Sequence, residues 1–463
     1  MKRIMILVYL LSLSLLSAAQ DPESSFEVPV GNGGPSVNGF VRGGFYGWKD
    51  KGDPEINFPA LYSDFGLKID AGNDRNLKAY ADLRFRYGSE FNEPVSSFDL
   101  REAYIQLNGR KWDLSFGRQI IKWGRGDFTN PVSRFSPVNM VSRSPDREDM
   151  DMGNILSSFK WHPASFVTLE MLATPLHRSS RLIIDPFPLP DYVTIDQSQS
   201  VISGKGIFSY GLRASFHLRG IDWSLNWFDG YDPMPGIRLA SFVFDPSQPL
   251  SMPAIGLELK PYRNRVAGLD FETAAGPFGL RGEAAWARPS LSFRDYEYVP
   301  LPELKWVAGM DWMPGRWTIT AEYCGKFIDD FTPSEAQPIF GTEVDPVVLL
   351  QLLSNPEFDM QAYVRQQVAA FNQLYNYQTD RYSHYATLRV EADLAYGRLL
   401  PSLTGMYNWT TGDLLLIPEV KYKPLDGMAI TAGAEIYQGR KGSLYDLVND
   451  FMNGIYVSLR FDF

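Results

Sequence analysis

The last ten residues, Gly454 to Phe463, constrain this chain more than any other stretch. Ile455, Val457, Leu459, Phe461 and Phe463 are apolar; Tyr456, Ser458, Arg460 and Asp462 between them are polar or amphipathic. Unbroken alternation of this kind describes a β-strand with one greasy and one wet face. Its length matches the ~9–11 residues that a tilted strand needs to cross a bilayer. An edge strand of a soluble sheet would carry the same pattern, so the remainder of the chain has to decide between the two.

The N-terminus favours export. Lys2 and Arg3 precede an apolar run from Ile4 to Leu16, and Ser17-Ala18-Ala19 supplies small residues for a cut after Ala19. The run is too short for a spanning helix of ~20 residues. Residues 1–19 are therefore expected to leave as a signal peptide, and residues 20–36, rich in Gly, Pro and acidic residues, to form a periplasmic lead. With the leader gone, 42 basic residues stand against 54 acidic ones, a formal charge of −12. An acidic chain without basic clusters speaks against nucleic acid as a partner. The single cysteine, Cys324, excludes an internal disulfide. Aromatic residues reach 14 %, yet no later apolar run is long enough for a membrane helix. Those three features together fit a transmembrane barrel, whose strands hide half their residues from a hydropathy scan.

From residue 37 to 463 the alternation recurs. Ala79, Leu83 and Phe85 alternate with Tyr80, Asp82, Arg84 and Arg86; Ala386, Leu388 and Val390 alternate with Thr387, Arg389 and Glu391. Segments such as 98–107, 155–161, 208–217, 255–273, 304–312 and 414–422 complete a set of about eighteen strands. Short turns at Asn108, His162, Arg219, Gly276, Pro314, Gly397 and Asp426 all fall on one side, the side of Phe463, and the long loops all fall on the other. That is the arrangement of bacterial single-chain barrels: even strand number, short periplasmic turns, long outer loops. The fold expected is an all-β, antiparallel, up-and-down transmembrane barrel. Strand-end tryptophans such as Trp48, Trp161, Trp227, Trp312 and Trp317 suit interfacial girdles.

The inward parity set is polar and of mixed sign. Charges on the lipid face would cost ~2–4 kcal/mol for each Arg or Lys at the midplane, so they must face water or one another. Sixteen to eighteen strands enclose an aqueous channel. Candidate pore-lining residues are Arg84, Arg86, Arg118, Arg125, Arg213, Arg281, Glu283, Glu322, Arg389, Glu391 and Arg460. Any one of them could instead brace the wall through an ion pair.

The stretch from Leu100 to Pro131 is the most specific. Arg101-Glu102-Ala103-Tyr104, Gly117-Arg118-Gln119, Trp123-Gly124 and Asn130-Pro131, with the Gly412–Tyr422 hairpin and the final strand, resemble porin-like bacterial outer-membrane barrels and are distantly similar to alginate-export barrels. The terminal Phe on an alternating strand likewise looks like the sorting signal of such barrels. The resemblance implies an outer-membrane channel, with the bilayer, lipopolysaccharide, the barrel-assembly machinery and small polar solutes as partners. It names no substrate, and it leaves export of an anionic polysaccharide, or a plugged scaffold or adhesin, as alternatives.

Two loops stand out. The one after Gln119 carries Lys122, Arg125, Arg134, Arg143 and Arg147 and then an acidic run from Asp146 to Asp151. Folded inward, its two signs would face each other across the hole and set a local field; left outside, it would be a solvated loop. Asp146, Glu148, Asp149 and Asp151 could also offer oxygens to Ca²⁺, and Arg125-Gly126-Asp127 is an adhesion-like tripeptide. The insert of about 331–380 reads as two helices, Pro346 to Leu353 and Pro356 to Tyr375, the second with Asn355 as its cap and Met360, Val364, Val368, Phe371 and Tyr375 as an apolar stripe. The four histidines sit in no catalytic motif, although His217 lies close to Ser215 in sequence. No enzyme, cofactor or metal is expected.

Overall fold

The computed structural model describes residues 35–49, 56–73, 76–91, 93–184, 186–187, 189–198, 202–203, 207–244, 253–334, 336, 338–339 and 358–463. The expected leader, the Pro346–Leu353 helix and the Asn355 cap lie outside these. Eighteen strands run β1 Ser36–Lys49, β2 Ile56–Asn73, β3 Leu77–Glu90, β4 Glu93–Asn108, β5 Trp112–Gln119, β6 Asn154–Ala164, β7 Val167–Thr174, β8 Ser209–Leu218 and β9 Ile221–Tyr231. They continue as β10 Arg263–Ala275, β11 Phe278–Pro289, β12 Glu303–Trp312, β13 Trp317–Ile328, β14 Tyr382–Ala392, β15 Leu399–Asn408, β16 Leu414–Tyr422, β17 Met428–Gln438 and β18 Gly454–Asp462. Each pairs antiparallel with its neighbours in sequence, and β18 pairs with β1 from Phe40↔Asp462 to Gly47↔Ile455, closing the sheet into a barrel. Closure leaves no open edge, which a lipid environment requires.

The final strand seals the ring through its last residue. Gly39 donates its N–H to the Phe463 carbonyl at 2.8 Å, and Phe463 returns one to Gly39 at 2.9 Å. The Phe463 ring lies across Gly39 so closely that a Cβ there would come within 2.5 Å of it, so only glycine fits at this seam. Alternation sorts the side chains as expected. Ile455, Leu459, Phe461 and Phe463 lie exposed on the outside, whereas Tyr456 and Ser458 are buried inside. Phe85, Ile105, Phe116, Leu212 and Leu388 extend the same outward apolar belt. Trp112, Trp161, Trp312, Trp317 and Tyr422 crowd the short-turn rim, Trp227, Tyr382 and Trp409 the opposite one.

Corrections concern the loops. Segment 255–273 is not one strand: Ala254–Lys260 ends before Pro261, which has no N–H for a ladder, and β10 starts anew at Arg263. Ala254–Lys260 joins Gly236–Val243 and Val193–Asp196 in a separate three-stranded sheet on the long-loop side. Helix α1, Met360–Tyr375, begins at the cap Asp359, whose side chain accepts from the Ala362 N–H. Its stripe of Val364, Val368 and Phe371 packs with Ile237, Leu239, Ile255 and Leu257 of that sheet. A second helix, α2, Leu444–Met452, capped by Ser443, adds Leu447, Val448 and Phe451 to the same core.

Candidate functional site

The loop between β5 and β6, residues 120–153, crosses the inside of the barrel, and its course follows from what the wall offers it. Most inward positions are polar, but Leu156, Leu172, Phe228, Val266, Ala285 and Ala287 are inward and apolar. Trp123, Val132 and Phe135 of the loop bury against them. Trp123 donates its indole N–H to Glu170 at 3.0 Å, and Phe135 stands edge-on between Trp123 and Phe228. Burial of this much aromatic surface pulls the start of the loop off the outer rim and onto the inner wall.

Beyond Trp123 the loop reaches an acidic wall. Gly124 adopts φ +93°, and a Cβ there would collide with Asn130 Oδ1 and Glu283 Oε2. Glu283 of β11 then accepts the backbone N–H groups of Arg125 (3.0 Å), Gly126 (3.3 Å) and Val132 (2.8 Å). Glu322 of β13 accepts those of Asp127 (2.5 Å), Phe128 (3.1 Å) and Thr129 (3.3 Å). Both carboxylates are buried. Side chains complete the clasp: Arg125 pairs with Asp270 and Glu272, and Arg281 with Asp127, Asp311 and Glu322.

The far end of the loop lands on a basic wall. Asp146 meets Arg42 (3.1 Å), Arg460 (3.0 Å) and Lys421 (3.6 Å); Asp149 meets Arg42 (2.6 Å) and Arg84 (3.6 Å). Burial opposes ionisation of Asp149, but Arg42, the Ser144 hydroxyl and Arg84 outweigh it and hold the carboxyl below its usual range. Arg101 donates to the carbonyls of Glu148 and Asp151, and Arg86 to that of Arg143. Arg143 itself reaches Glu435 and the Met452 carbonyl of α2. Midway, a bridge pairs Asn139 with Arg181, and Val138 bonds to Ser180. Beside it, burial drives the His177 imidazole down to about 4 against the pull of Asp232; its Nε2 contacts Ser179 Oγ at 3.1 Å.

The residues singled out from sequence divide accordingly. Arg84, Arg86, Arg125, Arg281, Glu283, Glu322 and Arg460 are all drawn into the two anchorages. Arg118 is not at the crossing: it holds Asp99 and the Gly153 carbonyl at the root of the loop. Arg213 bonds Ser224 and Asp270 on the wall. Arg389 and Glu391 pair with each other at 2.7 Å on β14 and touch no loop residue among those described. The loop's basic and acidic stretches do not face one another across a gap: Arg125 and Arg134 pair with wall carboxylates, Asp146 and Asp149 with wall cations, and Lys122 meets Asp151 directly at 2.5 Å within the loop itself. The carboxylates of Asp146, Asp149 and Asp151 pair with cations, and no group of three or more possible metal ligands gathers among the described residues. The Arg125-Gly126-Asp127 tripeptide lies inside the barrel, and His217 bonds Asp222 rather than Ser215. The sequence signal for the inward course was the run of apolar residues at inward positions, Leu156, Leu172, Phe228 and Val266, where the parity rule demands polar ones.

No family model matches the chain, and no curated protein matches it. Among solved structures it is similar to the outer membrane protein OpdK from Pseudomonas aeruginosa, at 8% identity over 93% of this chain and 98% of that one, with a TM-score of 0.53. It is also similar to OccAB3 from Acinetobacter baumannii, at 12% identity over 93% and 99%, with a TM-score of 0.50. The likeness is one of fold: a closed antiparallel barrel of the outer-membrane type.

Proposed function

We propose that this chain is an outer-membrane channel through which small polar solutes diffuse. The observation that carries the reading is the crossing loop: it spans a closed eighteen-strand barrel from acidic to basic wall but bonds to no residue of β15 among those described. The inner face around β15, with Ser402 and Thr404 between Arg389 and Glu391 of β14 and Glu419 of β16, is thus the free bank of the passage, and the loop, which reaches Tyr385 of β14 and Lys421 of β16 on either side of it, is the other. Arg84, Arg86, Arg125 and Arg460 flank the opening while holding the loop; Glu283, Glu322 and Arg281 act as anchors. The bilayer and outer-leaflet lipopolysaccharide surround the belt, and β18 is the segment offered to the assembly machinery. No catalytic role is assigned to any residue. Planar-bilayer recording tests the proposal. Discrete open steps support it, and block of those steps by an added anionic polysaccharide would favour the export reading instead. Silence from correctly folded protein would sink it in favour of a plugged scaffold.

A further inference from the structure

Below the crossing loop, toward the short-turn rim, the wall of β4, β5 and β6 encloses a cavity of about 210 Å³. Resting on the channel reading, we infer that this cavity is a binding site for one neutral, polyhydroxylated ring of monosaccharide size. Its chemistry selects for that class. Tyr104 lines it and leans on Tyr80, ring centroids 5.4 Å apart, giving an aromatic platform fixed by its neighbour. Sugar rings carry C–H faces that lie against such a surface, while their edges alternate donors and acceptors. The lining supplies acceptors with an oxygen to spare. Glu102 uses Oε1 for the Ile120 N–H, Asp113 uses Oδ2 for His162, and Gln106 donates its amide N–H to Asn108. The second carboxylate oxygens of Glu102 and Asp113 and the single amide oxygen of Gln106 remain for hydroxyl donors. Tyr104 and Lys160, half-exposed, donate in return.

Charge narrows the class. Two carboxylates repel an anionic solute, and with Lys160 already meeting Glu170 at 3.6 Å the lining offers an anion no free cation to pair with. Size narrows it further: the volume equals about seven waters at roughly 30 Å³ each, room for one ring rather than a chain. The position, directly beneath Ile120 and Ile121 at the root of the loop, is where a solute emerging from the crossing would next come to rest.

The experiment is bilayer recording of the whole protein with glucose, glucuronate or glucosamine added on either side. Glucose should produce transient blockades, and glucuronate and glucosamine weaker ones. Tyr104→Ala should lower the apparent affinity about tenfold, as expected for loss of an aromatic platform. Tyr104→Phe, which keeps the ring, should stay within about threefold. Open channels that ignore glucose, or a Tyr104→Ala channel that responds like wild type, overturn the site; stronger block by glucuronate overturns the class. If folded protein conducts no ions, the channel reading fails separately. Calorimetric titration of glucose into the detergent-solubilised protein and the Tyr104→Ala variant then decides the site: saturable binding weakened in the variant upholds it, and no heat in either overturns it.

Discussion

The crossing loop is held at its two ends by different physics. At the acidic wall, Glu283 and Glu322 each take three backbone N–H groups, and both carboxylates are buried. At the basic wall, carboxylate meets guanidinium, with Asp146 and Asp149 still partly open to solvent. A buried acceptor serving backbone donors has no substitute: remove it and three N–H groups lose their partners together. At the basic wall a lost partner is partly replaced, because the buried Arg42 also holds Asp64 at 2.6 Å and the loop carboxylates keep some access to water. The first end is a hinge pin; the second is a latch.

The sharpest way to break this comparison is Glu322→Ala. It strands the N–H groups of Asp127, Phe128 and Thr129 and leaves Arg281 without one partner, so the anchorage should lose about 3–5 kcal/mol, the usual cost of breaking a buried charged contact. Conductance should rise as the loop swings from the wall, and a cysteine placed at Thr129 should become reactive to a thiol reagent. Wild-type conductance with an unreactive cysteine would remove Glu322 from the anchorage.

Next in size is the latch. Asp146→Asn with Asp149→Asn exchanges charge-assisted contacts for neutral ones, a loss of about 1.5–3 kcal/mol for such bonds. It also frees Arg42, Arg84 and Arg460 from their carboxylate partners on the loop. Anion preference, read from the reversal potential across a salt gradient, should increase, whereas Glu322→Ala should change conductance more than preference. Equal selectivity in wild type and double variant would refute the latch.

These two ends were unequally legible in the sequence. Strand order, turn side and inward parity follow from alternation, because every residue of a barrel strand has only two faces to choose from. Parity therefore places Glu283 and Glu322 inside, but it cannot say whether they meet solute or a backbone from a distant segment. Those contacts span more than 150 residues of sequence, as between Asp127 and Glu322. Similarly, α2 was missed although Ser443 precedes Leu447, Val448 and Phe451 at helical spacing: nine residues form a helix here because a core of other loops receives them.

Acidification should separate the latch from the midway contact, where Val138 and Asn139 meet Ser180 and Arg181 beside His177. Asp149 is held below its ordinary range in the fold, so its contribution is complete above about pH 4, the unfolded value, and disappears only as pH falls through the lower folded value. His177 is also depressed, to about 4, but as a base: the fold favours its neutral form. Its contribution is complete above about pH 6.5 and is lost as pH falls from there toward 4. Proteolysis of the 175–208 loop should thus accelerate between pH 6.5 and 4, and not in a His177→Gln variant, while the conductance change attributed to the latch should wait until below pH 4. A single coincident transition would mean that the loop is anchored as one unit.

The smallest effect on stability is expected where the loop makes no contact. Arg389 and Glu391 form a pair at 2.7 Å whose side chains are 42% and 31% exposed, and such pairs contribute about 0.2–1 kcal/mol. Arg389→Ala should leave heat-modifiable gel migration unchanged. If the free bank around β15 carries the solute path, the same variant should nevertheless lower anion preference, and Glu391→Gln should raise it. The shift should be larger at low salt, because screening reaches ~30 Å at 0.01 M and only ~10 Å at 0.1 M. A charge within that distance of passing ions governs them at the lower concentration and is largely hidden at the higher one. Should Arg389→Ala instead destabilise the barrel and leave selectivity untouched at both salt concentrations, Arg389 would be a wall brace, and the passage would have to run along a different bank of the loop.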